Sequence, residues 1–178
     1  MQLEERFGAT ESAPQSGIAV VQVAIVVREL EKSLRHYCKV LGWNPWRVYD
    51  FRTLDHVDTR VRGEPSSYAM RTAICRVGNV DFEVIEPLGP SPYTEFLETR
   101  GEGLHHIQIR GKDPQALRER LANSGVPFLM GGQVRLGPDA ALEYAYHDGT
   151  DELHLFIEST FGDRERLLNL KPVIFDAA

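Results

Sequence analysis

Hydrophobic and polar positions fall into two similar series along the chain. An almost unbroken apolar run, Val20-Val21-Gln22-Val23-Ala24-Ile25-Val26-Val27, predicts a buried strand over about 19–27. Leu30, Leu34, Tyr37 and Leu41 then recur at helical spacing, and Gly42 ends that helix. Trp43 to Phe51 is aromatic and β-prone apart from Pro45, as an edge strand would be. Residues 52–67 are charged and turn-rich and read as a long loop that could serve as a lid. Strands at about 69–77 and 80–86, joined by Gly78-Asn79, close the first series.

Gly89-Pro90-Ser91-Pro92 breaks the pattern, and Tyr93 to Arg100 reads as a short helix. A strand at 104–110 opens the second series. Asp113-Pro114 supplies an N-cap with proline in the first helical turn, Leu117 and Leu121 mark a buried face, and Gly125 stops the helix. Extended segments near 127–136, 141–147 and 152–159 follow. Both series therefore read β-α-β-β-β, and an internal repeat aligns Gln22 with His106 and Gly42 with Gly125 with one residue of slippage. The expected organisation is a polar N-terminal arm (1–17), one domain over 18–160 built from modules at about 18–88 and 103–160, and a tail (161–178) with a short helix.

Composition narrows the partners. Of 178 residues, 42% are hydrophobic and 26% charged, as in an ordinary globular protein of this size. A formal net charge of −6 and the lack of a basic run argue against nucleic acid or an anionic membrane. No stretch of about 18 apolar residues predicts a membrane span. The two cysteines, Cys38 and Cys75, form no CxxC pair, and with no secretion signal at the N-terminus the expected setting is cytoplasmic.

Candidate chemistry lies on the strands. Gln22, Glu83 and Glu158 are polar residues inside apolar runs, and Gly103-Leu104-His105-His106-Ile107 sets two histidines at the start of another. Buried groups of this kind are costly unless paired or coordinated. Strand alternation predicts that only one of the two histidines faces a given cavity. A core histidine satisfied by a backbone partner is the plain alternative; glutamate on matching strands makes a ligand role the stronger reading.

Val23 to Tyr37 with Leu41-Gly42-Trp43 resembles the first strand and helix of the vicinal oxygen chelate superfamily. Phe82-Glu83-Val84-Ile85-Glu86-Pro87-Leu88-Gly89, followed by Gly103-Leu104-His105-His106-Ile107, is similar to methylmalonyl-CoA epimerases and their glyoxalase-like relatives. The resemblance covers about residues 19–160. It implies an α+β fold in which two βαβββ modules form a curved mixed sheet around a metal-binding cavity. Carried over by position, it implies Gln22, Glu83, His106 (not His105) and Glu158 as ligands of a divalent ion: zinc, manganese, cobalt, nickel or magnesium.

The sequence departs from the epimerases at Gln22, where they usually carry histidine; Gln, Glu, His, Glu is closer to glyoxalase I. Ser66, Ser67, Arg71 and Thr72 occupy a region where some epimerases place a second proton-transferring carboxylate. The implied activity is that of a metal-dependent isomerase or lyase that passes through an enolate on a small carbonyl or acyl-thioester substrate. Glu158 is the expected base and Glu83 the second acid. His154, Arg71 and Phe156 are the expected substrate contacts, and a homodimer the expected assembly. Two rivals stand beside this reading. One is a ligand-sequestering module of the same fold. The other is an iron dioxygenase, which wants two histidines and a carboxylate and would need His154 as a ligand.

Overall fold

The computed structural model describes residues 17–53, 55–168, 170 and 172–176. The predicted arm therefore lies outside the described residues except for Gly17. The first series forms β1 (Ile18–Val26), α1 (Leu30–Leu41), β2 (Trp46–Asp50), a single 3-10 turn (Phe51–Thr53), β3 (Asp55–Val61), β4 (Glu64–Pro65), β5 (Met70–Val77) and β6 (Val80–Pro87). After α2 (Pro92–Arg100), the second forms β7 (Gly103–Gly111), α3 (Pro114–Asn123), β8 (Phe128–Arg135), β9 (Ala141–Gly149) and β10 (Leu155–Gly162). The chain continues through α4 (Arg164–Leu168) and β11 (Val173–Phe175).

Local chemistry sets the helix ends much as the sequence predicts. Gly42 adopts φ 68° and its N–H reaches Cys38 O, closing α1 with a left-handed residue that glycine supplies without a Cβ penalty. Asp113 accepts from Ala116 N with Pro114 behind it, and Ser91 accepts from Thr94 N at the start of α2.

All strands join one curved, unclosed mixed sheet in the order β11-β2-β5-β6-β1-β7-β10-β9-β8-β3-β4. Each half is a βαβββ unit whose first and last strands run parallel (β1 with β6, β7 with β10), and β1 meets β7 antiparallel at the centre. Register supports the internal repeat: Glu83 lies opposite Ala24, two residues past Gln22, and Glu158 lies opposite Gln108, two residues past His106.

One face of the sheet is covered by helices. Leu30 and Leu34 of α1 pack on Val27, Ala73 and Val84, while Leu117 and Leu121 of α3 pack on Ile109 and Ile157. The other face carries the largest core, in which Ala24, Val26, Ile85 and Met130 meet Tyr93, Phe96 and Leu97 of α2.

The predicted 52–67 lid is corrected by β3, which leaves the first half and pairs antiparallel with β8 of the second, from Asp55 opposite Arg135 to Val61 opposite Met130. The register slips between Val57 and Arg60, where Asp58 has φ 52°, and this bulge breaks the alternation that would have marked a strand. Tertiary pairing outweighs the charged local sequence. Strand β11, in the tail, adds to the free edge of β2 and was not legible in the pattern.

A glycine pair lets β8 accept neighbours on both sides. A Cβ on Gly131 would stand 2.6 Å from Tyr144 O, in a backbone that cannot yield. Gly131→Ala is accordingly expected to cost about 2 kcal/mol, the scale of overpacking a filled site. Urea unfolding would show it as a lower midpoint at unchanged slope.

Candidate active site

Four of the proposed ligands converge on the concave face. Gln22 on β1, Glu83 on β6, His106 on β7 and Glu158 on β10 are all buried, His106 completely. His106 Nε2 lies 3.2 Å from Glu158 Oε2 and 3.6 Å from Glu83 Oε2. Both carboxylates also take amide donors. Gln22 Nε2 donates to Glu83 Oε2 at 2.5 Å, and Gln108 Nε2 donates to Glu158 Oε2 at 2.7 Å. Thr72 Oγ1 adds a bond to Glu83 Oε1 at 2.7 Å. These donors offset the cost of burying two carboxylates side by side.

Both histidines face this side, against the expectation from alternation. Strand β7 bulges between the pairs Ala24–His106 and Ile25–Leu104, so His105 has no partner residue across the ladder. The extra residue restarts the alternation and turns His105 toward α2 and β9 instead of α3. Its ring touches Tyr93, Phe96 and Phe156 and lies against His106, Nδ1 to Nδ1 at 3.1 Å.

Burial holds the His105 imidazole well below its usual pKa, helped by the neighbouring His106 and by Arg100. The unfolded chain binds a proton at His105 from about pH 6.5 downward, whereas the folded one resists it. Stability from this residue is therefore complete above that pH and declines as pH falls below it. His105→Phe, which suits the aromatic surroundings, is expected to flatten the drop in urea midpoint between pH 7.5 and 5.5.

The three proposed substrate contacts fall elsewhere. Arg71 is on the helix-covered face, because Thr72 beside it faces the cavity; it bonds to Glu31 and, at 3.2 Å, to Glu86. His154 is exposed, with φ 61° in the turn before β10, so it is not a cavity residue and offers no second histidine for an iron site. Phe156 packs on His105 and Phe96 under α2, behind the cavity wall.

The cavity itself is small, with about 60 Å³ of free volume, and is partly open to solvent. Glu83, Glu158, Gln22 and Gln108 form a polar end, and Met70, Ile74, Val134, Leu142, Leu167 and Leu168 supply apolar wall. Four tyrosines also line it. Tyr68 donates to Tyr144 at 2.9 Å, and burial raises the pKa of Tyr68, Tyr93 and Tyr146 well above the ordinary phenol value. All three therefore remain neutral hydroxyls. Phe51 and His56 line the cavity too, and His56 Nε2 is fixed on Phe51 O at 3.0 Å.

Sequence reasoning missed Gln108, although it shares strand parity with His106 in an apolar run and so carried the same signal as Gln22. It also missed His56 and the tyrosines, which come from segments whose pairing only the fold defines.

As the side chains stand, no group of three or more His, Cys, Asp and Glu among the described residues forms a metal site. The donor chemistry nevertheless suits one. His106 Nε2 is buried without a hydrogen-bond partner, and its two carboxylate neighbours approach off the line of such a bond. Bonds of about 2.0–2.2 Å to one ion set neighbouring donors about 3.0–3.5 Å apart, close to the separations found here. Gln22 would join by turning its amide oxygen inward in place of the nitrogen.

Paired βαβββ units that share a sheet, with polar side chains gathered on the concave face, define a recognisable class. The chain belongs to the glyoxalase/bleomycin resistance protein/dioxygenase superfamily, whose family model matches residues 21–146. It is 30% identical over 117 residues to an ethylmalonyl-CoA/methylmalonyl-CoA epimerase from Cereibacter sphaeroides, which covers 65% of this chain and 77% of that one. The methylmalonyl-CoA epimerase of Mycobacterium tuberculosis superposes with a TM-score of 0.58 at 20% identity, over 87% of this chain and 95% of that one. A variant of 4-hydroxymandelate synthase from Streptomyces coelicolor superposes with a TM-score of 0.57 at 17% identity, over 88% of this chain but 52% of that one. These two solved structures support the fold alone.

Proposed function

We propose that this protein is a divalent-metal-dependent isomerase or lyase that moves a proton α to a carbonyl, through an enolate-type intermediate. One observation carries the reading: His106 meets Glu83 and Glu158, which line one end of a largely apolar and aromatic cavity. The similarity to an epimerase from Cereibacter sphaeroides supports the same class.

Gln22, Glu83, His106 and Glu158 would hold the ion. When bound, it would polarise the substrate carbonyl and stabilise negative charge developing on its oxygen. The chain's own residues do the rest. Glu158 removes the α-proton, with Gln108 fixing its Oε2. Glu83, held by Thr72, returns a proton when the product requires it on another atom or face. Met70, Ile74, Val134 and Leu142 keep water from competing for the carbanion. Strand β5 presents Met70 and Ile74 to the cavity, with Thr72 between them bonded to Glu83, and Glu83 and Glu158 are the two carboxylates that line it among the described residues.

The test is α-proton exchange in heavy water, followed by NMR over α-hydroxyketones and acyl-CoA thioesters, with and without added manganese. Metal-stimulated exchange into one class is the expected result. Binding without exchange in any class would instead favour a sequestering protein, a reading to which the amide–carboxylate pairs Gln22–Glu83 and Gln108–Glu158 lend some support, since they already satisfy both acids.

A further inference from the structure

Two pairs of tyrosines line the cavity, and they differ in how their hydroxyls are used. Tyr68 donates to Tyr144 at 2.9 Å, and the Tyr144 hydroxyl lies in turn beside that of Thr59. That chain of hydroxyls closes within the protein. Tyr93 and Tyr146 are both buried, Tyr93 completely, and their hydroxyls are close enough to interact. Tyr93 Oη nevertheless makes no hydrogen bond of ordinary geometry. Two hydroxyls that bond to one another always leave one proton over. Left buried without a partner such a group is costly, so it calls for an acceptor from outside the pair.

The spare proton falls at the polar end of the cavity. Tyr146 lies directly opposite Glu158 in the ladder between β9 and β10, on the same face, and its ring centre stands 4.9 Å from that of His106, edge to face. Tyr93 approaches from α2, its ring perpendicular to that of Tyr146 with 6.1 Å between centres. Gln108 Oε1 and Thr160 Oγ1, also buried in the cavity wall, lack partners too, as in a space built for a polar occupant.

We propose that Tyr93 and Tyr146 act together as one hydrogen-bond donor to the substrate oxygen on which negative charge develops. The chemistry rests on the proton-transfer reading above; binding of the oxygen rests on the hydroxyls alone. The proton stays on the phenol. Its bond strengthens as charge grows on the acceptor, which stabilises an enolate more than the carbonyl it comes from. The donor is drawn from α2 and β9, elements that supply none of the four residues proposed to hold the ion.

The test uses the full chain with one equivalent of zinc, labelled with 13C at the tyrosine Cζ, and acetohydroxamate as probe, a small molecule whose adjacent oxygens imitate an enediolate. The Cζ signals of Tyr93 and Tyr146, assigned through Tyr93→Phe and Tyr146→Phe, are expected to move on addition of the probe. That of Tyr37, stacked on Trp43 under the helix-covered face, is expected to stay. Either substitution is expected to weaken probe binding about tenfold, the scale of one hydrogen bond, and the double variant no further, because the pair is one donor. Each is also expected to lower α-proton exchange about a hundredfold at unchanged zinc content. Melting curves like wild type show that the variants fold. Unmoved signals at the highest soluble probe concentration overturn the proposal, and so do additive losses in the double variant.

Exchange separates this proposal from the reading it rests on. Shifted signals and weakened binding with no exchange in the wild type support the pair as an oxygen-binding site and count against proton transfer. Exchange that survives both substitutions keeps proton transfer and overturns the pair.

Discussion

Glu158→Gln is expected to lower α-proton exchange by about a thousandfold, the middle of the range for losing a general base. The substitution keeps shape and volume. The new amide oxygen can still accept from Gln108 Nε2, now 2.7 Å from Glu158 Oε2, so the strand and its neighbour stay in place. What disappears is the carboxylate's ability to take a proton, together with its negative charge toward the proposed ion, so metal content is read alongside exchange. Thermal melting of the variant is expected to match wild type within a few degrees, or to rise, because a buried charge has been removed. Glu83→Gln provides the contrast. It leaves the proposed base intact, so initial exchange persists while formation of a rearranged product falls. If the two variants lost exchange equally, the division of labour between the acids would be wrong. If Glu158→Gln exchanged at the wild-type rate, Glu158 would not be the base.

The second large effect concerns the ion. Chain purified without a histidine tag or chelator is expected to carry about one divalent ion by elemental mass spectrometry, and the double variant Glu83→Ala with His106→Ala almost none. Both residues reach the same point from different halves of the chain, His106 Nε2 lying 3.6 Å from Glu83 Oε2. Removing one donor from each half leaves Glu158 and Gln22, a pair too weak to retain an ion through purification. Thr72→Val serves as a control, since it removes a bond to Glu83 but no donor, and is expected to weaken binding about tenfold. Wild-type chain that neither contains nor takes up an ion would leave the carboxylates as plain hydrogen-bond acceptors for Gln22 and Gln108, and proton transfer would then have to proceed without metal.

Much of the architecture was legible because buried strands and amphipathic helices leave strong periodic marks. The repeat of β-α-β-β-β, the caps at Asp113 and Gly42, and the strands carrying Gln22, Glu83, His106 and Glu158 could all be read directly. What escaped depended on pairing. Both faces of β5 are apolar, so nothing local says whether Arg71 or Thr72 looks inward; pairing with β6 decides for Thr72. His154 has the parity of Glu158, but the strand begins one residue later, after a left-handed turn that parity does not foresee. The bulge at His105 is set by β1 across the ladder and leaves no mark in Gly103 to Ile109 itself. Strand β3 reads as a loop because its own bulge spoils the period and its partner is some seventy residues away in sequence.

That strand has a consequence for how the two halves can be separated. Strands β2 and β3 follow one another in the chain yet lie eight places along an eleven-strand sheet from each other, near its opposite ends. Severed between the halves at Gly89 to Ser91, the first fragment would carry β3 with only the two-residue β4 to lie against. The second would bare the edge of β8, at Met130-Gly131-Gly132, where a flat glycine-bearing ladder invites other chains to add on. The pieces would be sticky alone and complementary together, so co-expressed fragments are a better route to a split protein than either half by itself.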